Sequence, residues 1–418
     1  MLIVAFAVSA TACINEIEDG TTDIDSWPLP KVEITYPSEF SHPGVVFNTA
    51  DIERWRDIVN TQHQPQYDGF KVLAEDKLSS HSYSLNGPYE FIYAGENDGL
   101  PNILTNVAND FGAACQNAIM FAATQQPSYA DKAMEIIRGY SKMTKPAFSA
   151  GASGQLDHVL LVGNVCVKLV YAIELMHNLE NSGMTEDDFV NASEMVKRCF
   201  VPVLENYFNI TEPKKMAIGN FGAAAMNCYI SIGILLDKPE MFRLAVERYL
   251  TGYDNGSIRY YIDAETGQCQ ETGRDQTHSQ LGLGMLSMVC ENAWKQGTDL
   301  YGVLDNRLLN GYEYTARYNL GYDVPFKVML ELTGKYHWEY PDQVDKEELL
   351  TGKRTEGRRG KFSPVYERVY NHYVIRKGLS MPYVKEVIES KARPEGNGAP
   401  DVAHLGFGTF LYCTEGYN

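Results

Sequence analysis

Residues 103–142 read ILTNVANDFGAACQNAIMFAATQQPSYADKAMEIIRGYSK, and this stretch decides the fold. Apolar residues recur at helical spacing over 103–124 and again over 128–142, with a short proline-bearing break between them. Two helices joined so closely must fold back on one another as a hairpin. The same rhythm continues outward, predicting helices near 157–180, 186–208, 220–235, 238–250, 276–296, 301–318 and 323–332. Upstream, Asn48 caps a first turn with Asp51 three residues on, and Ile52, Trp55, Ile58 and Val59 fall on one helical face. Strand-like alternation is confined to short pieces near 257–263 and 407–413.

About ten helices with short connections can form a bundle, a solenoid or a closed α/α toroid. No fixed-period self-similarity is present, which counts against a regular solenoid. The expected fold is all-α, a toroid of helical hairpins over 41–418 with a cleft or tunnel at one end. Polar and aromatic residues crowding the inner helix starts are then the site candidates.

The 418 residues are 44% hydrophobic and 22% charged, with a net charge of −18 and an isoelectric point near 5.0. A broad basic face for nucleic acid is excluded by that balance. Residues 2–12 (LIVAFAVSATA) form an apolar run ending in small residues, followed by Cys13. This resembles a bacterial lipoprotein signal over 1–13 with Cys13 as the lipidated residue, although Ala10 replaces the commonest Leu and no basic segment precedes the run. The expectation is an exported protein, lipid-anchored in a bacterial periplasm or outer membrane, with 14–40 as an acidic, Pro-rich tether. No later stretch reads as long and apolar enough to span a membrane, so the body is expected to be soluble. The remaining seven cysteines show no CxxC or metal spacing and read as buried free thiols. No metal, phosphate or dinucleotide motif appears, and no cofactor is expected.

Two segments carry candidate chemistry. In Ala217–Asn227 (AIGNFGAAAMN), Asn220 opens a helix of small residues, where an Asn is as often a simple cap. In Gly267–Gly284 (GQCQETGRDQTHSQLGLG), the side chains of Gln270, Glu271, Arg274, Asp275, Gln276, His278 and Gln280 crowd into eleven residues before an apolar helix. Arg274 and His278, four apart, share a face if the helix has begun.

These two segments resemble the alginate-lyase-type superfamily of α/α-toroid polysaccharide lyases. The resemblance extends to Asn109–Ala122, Tyr129–Ser141, Gly311–Gly321 and Val365–Tyr373, and so covers about 105–375. It implies β-elimination on a 1,4-linked uronan such as alginate, polymannuronate or glucuronan. The better-known alginate lyases carry an Asn-His pair where this chain has Asn220-Phe221, and a catalytic Tyr near the place of His278. Only the Asn carries over, and the Tyr must come from elsewhere.

Elimination removes H5 of a uronate and expels O4, so the sugar carboxylate must first be neutralised. Asn220, Arg274 and His278 supply an amide, a cation and an imidazole for that task. A base must take H5 and an acid must protonate O4. In β-D-mannuronate and β-D-glucuronate both lie on one ring face, so one group serves; in guluronate two are needed. Among 27 tyrosines, Tyr314 shares a helical face with Arg307, Asn310 and Arg317 and is the chosen base. Tyr318, Tyr370 and Tyr373 are rivals, and Tyr312 reads as core. Gln270, Glu271, Gln276, Tyr318, Tyr370 and His372 are candidate substrate contacts. The basic run 352–361 (GKRTEGRRGK), with Arg358 and Arg359, offers a lip to guide an acidic polysaccharide toward an otherwise acidic protein.

Two other readings stay open on sequence. A glycoside hydrolase on the same toroid would use paired carboxylates drawn from Glu271, Asp275 and Asp110. A helical glycan-binding lipoprotein would present aromatics without needing Arg274 beside His278.

Overall fold

A computed structural model describes residues 32–94, 103–146, 148–149, 155–209, 219–251, 255–326, 329, 359–396 and 403–417. The proposed signal 1–13 with Cys13, the first part of the tether and most of the basic run, Arg358 included, lie outside the described residues.

Helix α1 (Thr49–Thr61) starts as its sequence dictates. The Asn48 side chain accepts from Asp51 N at 3.1 Å, and Asn48 N donates to the Asp51 carboxylate at 3.0 Å. Ile52, Trp55 and Ile58 are buried along one stripe. After α2 (Gln66–Glu75) come hairpins that alternate two kinds of helix. Helices α3 (Leu104–Thr124), α5–α6 (Gln155–Leu161 and Val167–Asn178, joined by the π turn Val162–Cys166), α9 (Gly219–Leu235) and α12 (Gln276–Lys295) form one set, in which α3, α6, α9 and α12 are buried on nearly all sides. They are rich in Ala, Gly, Cys and Met, and form the inner ring. Helices α4 (Pro127–Tyr140), α7 (Glu186–Cys199), α8 (Val201–Phe208), α10 (Pro239–Thr251) and α13 (Val303–Asn319) bury one stripe and stand outside. The short helices α11 (Ile258–Tyr261), α14 (Tyr366–Tyr370), α15 (Pro382–Val387) and α16 (Gly408–Leu411) complete the chain. The ring closes where the Leu411 carbonyl accepts from Arg54 Nη2 (2.6 Å) and Trp55 Nε1 (3.2 Å). The all-α toroid is therefore the fold.

Several expectations need correction. The expected helix 186–208 is two, broken at Phe200, because Pro202 has no N–H to continue the preceding ladder. No helix begins at 323: residues 322–326 have no regular structure. The strand-like pieces near 257–263 and 407–413 are the helical turns α11 and α16, with one bridge from Ile262 to Cys269. Residues 32–40 do not behave as tether. Phe40 and Tyr36 pack on Phe242, with centroids 5.4 and 6.5 Å away, and Thr298 donates to Thr35 O at 2.7 Å. The segment His158–Asn178 is long and apolar enough to cross a membrane, but its most apolar stretch is 94% buried inside the protein. All seven described cysteines are free and buried.

Candidate active site

The starts of α9 and α12 meet across one aromatic ring. A Cβ on Gly219 would lie 2.8 Å from the Tyr261 ring and 2.7 Å from Gln270 Oε1. At its other end, the Tyr261 hydroxyl donates to His278 O (3.3 Å) and Ser279 O (3.4 Å). A Cβ on Gly282 would fall 1.8 Å from that hydroxyl, so the glycine is what lets the phenol reach the helix. Positions 219–220 and 278–279 are thus held a phenol apart, with the 3-10 turn Gln270–Gly273 beside them.

Asp275 caps α12, accepting from His278 N at 2.9 Å, while its other oxygen holds His278 Nδ1 at 2.8 Å. Burial pushes the Asp275 carboxyl upward, but the hydrogen bonds from His278 outweigh it and leave the group below its ordinary value. In the neutral tautomer whose Nδ1 donates to that carboxylate, Nε2 is the acceptor. The His278 side chain is 30% exposed. Arg274, 29% exposed, has Nη1 4.0 Å from the fully buried Glu271 carboxylate.

Around this pair lie buried polar atoms that no protein group satisfies: both amide atoms of Asn220, Gln270 Oε1, Ser257 Oγ, Thr272 Oγ1 and Gln276 Nε2. Each such atom costs about 1–3 kcal/mol when left unmade, and native proteins rarely gather them without cause. An anionic, hydroxyl-rich ligand would answer donors and acceptors together. Behind them the scaffold is complete. Gln276 Oε1 accepts from Asn319 Nδ2 at 2.8 Å. Gln280 donates to Gln276 O and Lys361 O (both 2.9 Å) and accepts from Ser363 N (2.8 Å) and Tyr366 Oη (2.9 Å). Those bonds bring the described end of the basic run against the first turns of α12.

The other sequence candidates separate from this mouth. The Tyr314 hydroxyl donates to Pro325 O at 2.6 Å and reaches Gln268 Oε1 at 3.3 Å, and burial raises its pKa. A base needs the opposite shift, so Tyr314 is a bracket for the chain at 325. Arg359 stacks 4.1 Å over the Tyr318 ring and donates to Tyr318 O and Tyr322 O, which makes it a staple and covers Tyr318. Tyr370 sits among Glu415, Arg393, Glu389 and Glu367 at the seam with the C-terminal segment. His372 is stacked 3.8 Å from Tyr301 and 4.8 Å from Trp294, and burial lowers its pKa to about 4. Trp294 lies in the last turn of α12, sixteen residues and roughly 24 Å from His278, so His372 is a neutral core residue. The Tyr373 hydroxyl donates to Tyr301 O. Among the described residues no group of His, Cys, Asp or Glu is placed to hold a metal ion.

The hydrolase pair also dissolves. Asp110 accepts from Tyr83, Tyr140, Asn86 and Gly87, Asp275 is engaged twice by His278, and Glu271 is buried against Arg274. What sequence reading missed is Tyr261 and its contact with Gly219 and Gly282. The small residues of 217–227 and the LGLG spacing mark close approach without naming the partner.

A helical toroid whose mouth gathers an arginine, an imidazole and unanswered hydrogen-bonding groups fits one class: a polysaccharide lyase of the α/α-toroid kind. The chain belongs to the alginate lyase family, whose model matches residues 62–323. Its fold resembles alginate lyase A1-III from Sphingomonas species A1 at 14% identity and a TM-score of 0.59, covering 89% of this chain and 99% of that one. A His-to-Ala variant of that enzyme complexed with a tetrasaccharide matches at 13% identity and a TM-score of 0.59, over 90% of this chain and 97% of the other. No curated protein sequence matches. The chain is thus a lyase acting on alginate-like acidic glycans.

Proposed function

We propose that the protein cleaves β-1,4-linked mannuronate or glucuronate chains by syn elimination, with Asn220 and Arg274 neutralising the sugar carboxylate and His278 moving the proton. The observation that carries this reading is the set of unsatisfied buried atoms at Asn220, Gln270, Thr272 and Gln276, gathered beside an Asp275-oriented imidazole. His278 Nε2 takes H5 as a proton; the electron pair forms the C4–C5 double bond; the C4–O4 bond breaks; the same imidazolium returns the proton to O4. One exposed proton carrier suits substrates in which H5 and O4 share a face. Guluronate would need a second group, and Tyr314, Tyr318 and Tyr370 are all engaged or covered.

The test is an ultraviolet assay for the unsaturated uronate on polymannuronate, polyguluronate and glucuronan. Turnover should favour the first or third and be lost in His278→Gln. Full activity in His278→Gln on a good substrate would overturn the mechanism, and a preference for polyguluronate would overturn the stereochemical reading.

A further inference from the structure

The starts of α9 and α12 share a third neighbour, the segment 255–261, which carries a cation that the elimination chemistry does not employ. The segment is wedged against α9 at one end. A Cβ on Gly256 would lie 2.6 Å from Gly219 O and 2.7 Å from Ala223 N, and Asn255 O comes within 2.9 Å of where a Cβ on Gly219 would stand. At the other end, the Tyr261 hydroxyl donates to His278 O at 3.3 Å. Arg259 therefore stands in a short turn pinned to both helix starts, two residues after Ser257 and two before Tyr261.

The Arg259 guanidinium stacks 4.7 Å over the Tyr260 ring. Such a stack fixes the plane of the group and uses none of its N–H donors. Nη1 is buried and has no hydrogen-bond partner, and among the described residues no carboxylate pairs with this arginine. Arg54, Arg317 and Arg368 also keep a buried nitrogen without a partner, but in each it is Nε, the inner atom of the fork. Among the described residues, Arg259 is the arginine whose terminal nitrogen is sealed from water and unanswered. Ser257, two residues earlier, is fully buried, and its Oγ is unanswered too. A buried cationic donor without an acceptor costs more than a neutral one. A guanidinium edge beside a hydroxyl is what a carboxylate accepts best.

We propose that Arg259, with Ser257, binds the carboxylate of the uronate adjoining the one held by Asn220 and Arg274. The inference rests on the elimination reading for the place of that first carboxylate. Its consequence is a substrate class. Two carboxylate sites on separate segments of one mouth select glycans in which uronates follow one another directly. A chain that alternates uronate with a neutral sugar or a hexosamine answers Arg274 and leaves Arg259 buried and unpaired, which is a penalty against the wrong polymer.

The test is calorimetric titration of the His278→Gln protein with a tetrasaccharide of polymannuronate or glucuronan. Adding Arg259→Met should weaken binding about 10- to 100-fold. The melting temperature without ligand should hold or rise, because an unpaired buried donor has been removed. Unchanged affinity in Arg259→Met would overturn the proposal, whether the melting temperature holds or falls; a fall would make Arg259 part of the scaffold. If Arg259→Met does not fold, the protein with Arg259 intact decides. It should bind the contiguous tetrasaccharide at least about tenfold more tightly than a hyaluronan tetrasaccharide, in which uronate alternates with hexosamine. Equal affinities would overturn the proposal. Turnover in His278→Gln judges the elimination mechanism and affinity judges Arg259, so either can fail alone. Should His278→Gln retain turnover, KM replaces Kd in the same comparison.

Discussion

The two ends of α12 put similar residues to opposite uses. At its C-terminal end, Glu291 is fully buried and answered on every side: Arg376 at 3.2 Å, Lys295 at 3.3 Å and the Tyr301 hydroxyl at 2.8 Å. Lys295 continues to Asp51 at 2.6 Å, and Asp51 to Arg54 at 2.8 Å. Burial would raise the Glu291 carboxyl, but the Arg376 and Lys295 charges hold it far below its ordinary value. At the N-terminal end the polar groups are as dense and as buried, yet Asn220, Gln270 and Gln276 keep atoms with no partner. Density of polar residues therefore does not mark a site. Nor does a single unanswered atom, since Arg54 Nε and the core His372 Nδ1 also lack a partner; the gathering of several at one mouth does, because a binding surface leaves them to its ligand.

That contrast can be broken by substitution. Glu291→Gln strands two buried cations, and urea unfolding should show a loss of about 3–5 kcal/mol, with turnover per folded molecule nearly unchanged. Asn220→Ala should do the reverse. Steady-state kinetics should fall about 10²–10³-fold, while the unfolding midpoint holds or rises, because an unsatisfied buried amide has been removed. A destabilised Asn220→Ala protein would show that the amide belongs to the scaffold after all. Tyr314→Phe should cost about 1 kcal/mol through the lost bond to Pro325 and leave kcat/KM within about twofold. A hundredfold loss would restore Tyr314 as the base.

The smallest effect concerns pH. His42 bonds Glu174 at 2.8 Å and Asp237 at 3.3 Å, and the Glu174 bond above all raises its pKa from 6.5 to about 9. A raised folded-state value stabilises fully below pH 6.5 and is lost as pH climbs through 9. The melting temperature of His42→Gln should therefore converge on wild type between pH 7 and pH 10. A constant gap would refute the assignment.

Much of the fold was legible because it rests on local signals. The Asn48–Asp51 box, the apolar period of α3 and α4 and the small, largely apolar residues of α9 each declare themselves within one segment. Breaks that depend on distant partners did not: the residues after Gly321 are shaped by Tyr314 and Arg359. At the site, Arg274 and His278 were readable from their crowding, and Asp275 was visible but without its role as the holder of His278. Tyr261 was invisible, since its meaning comes from touching Gly219 and Gly282 at once. Tyr314 misled because sharing a helical face with arginines says nothing about where a hydroxyl points.

The carbonyl of Leu411 receives Arg54 and Trp55, more than 350 positions earlier in the chain. A polypeptide emerging from the ribosome can stack its hairpins in order, yet the Trp55 indole lacks its partners Phe410 and Leu411 until that distant turn has been made. Products truncated before residue 407 would keep most of their helices and still expose an indole and a guanidinium at an open seam, a natural handle for quality-control proteases.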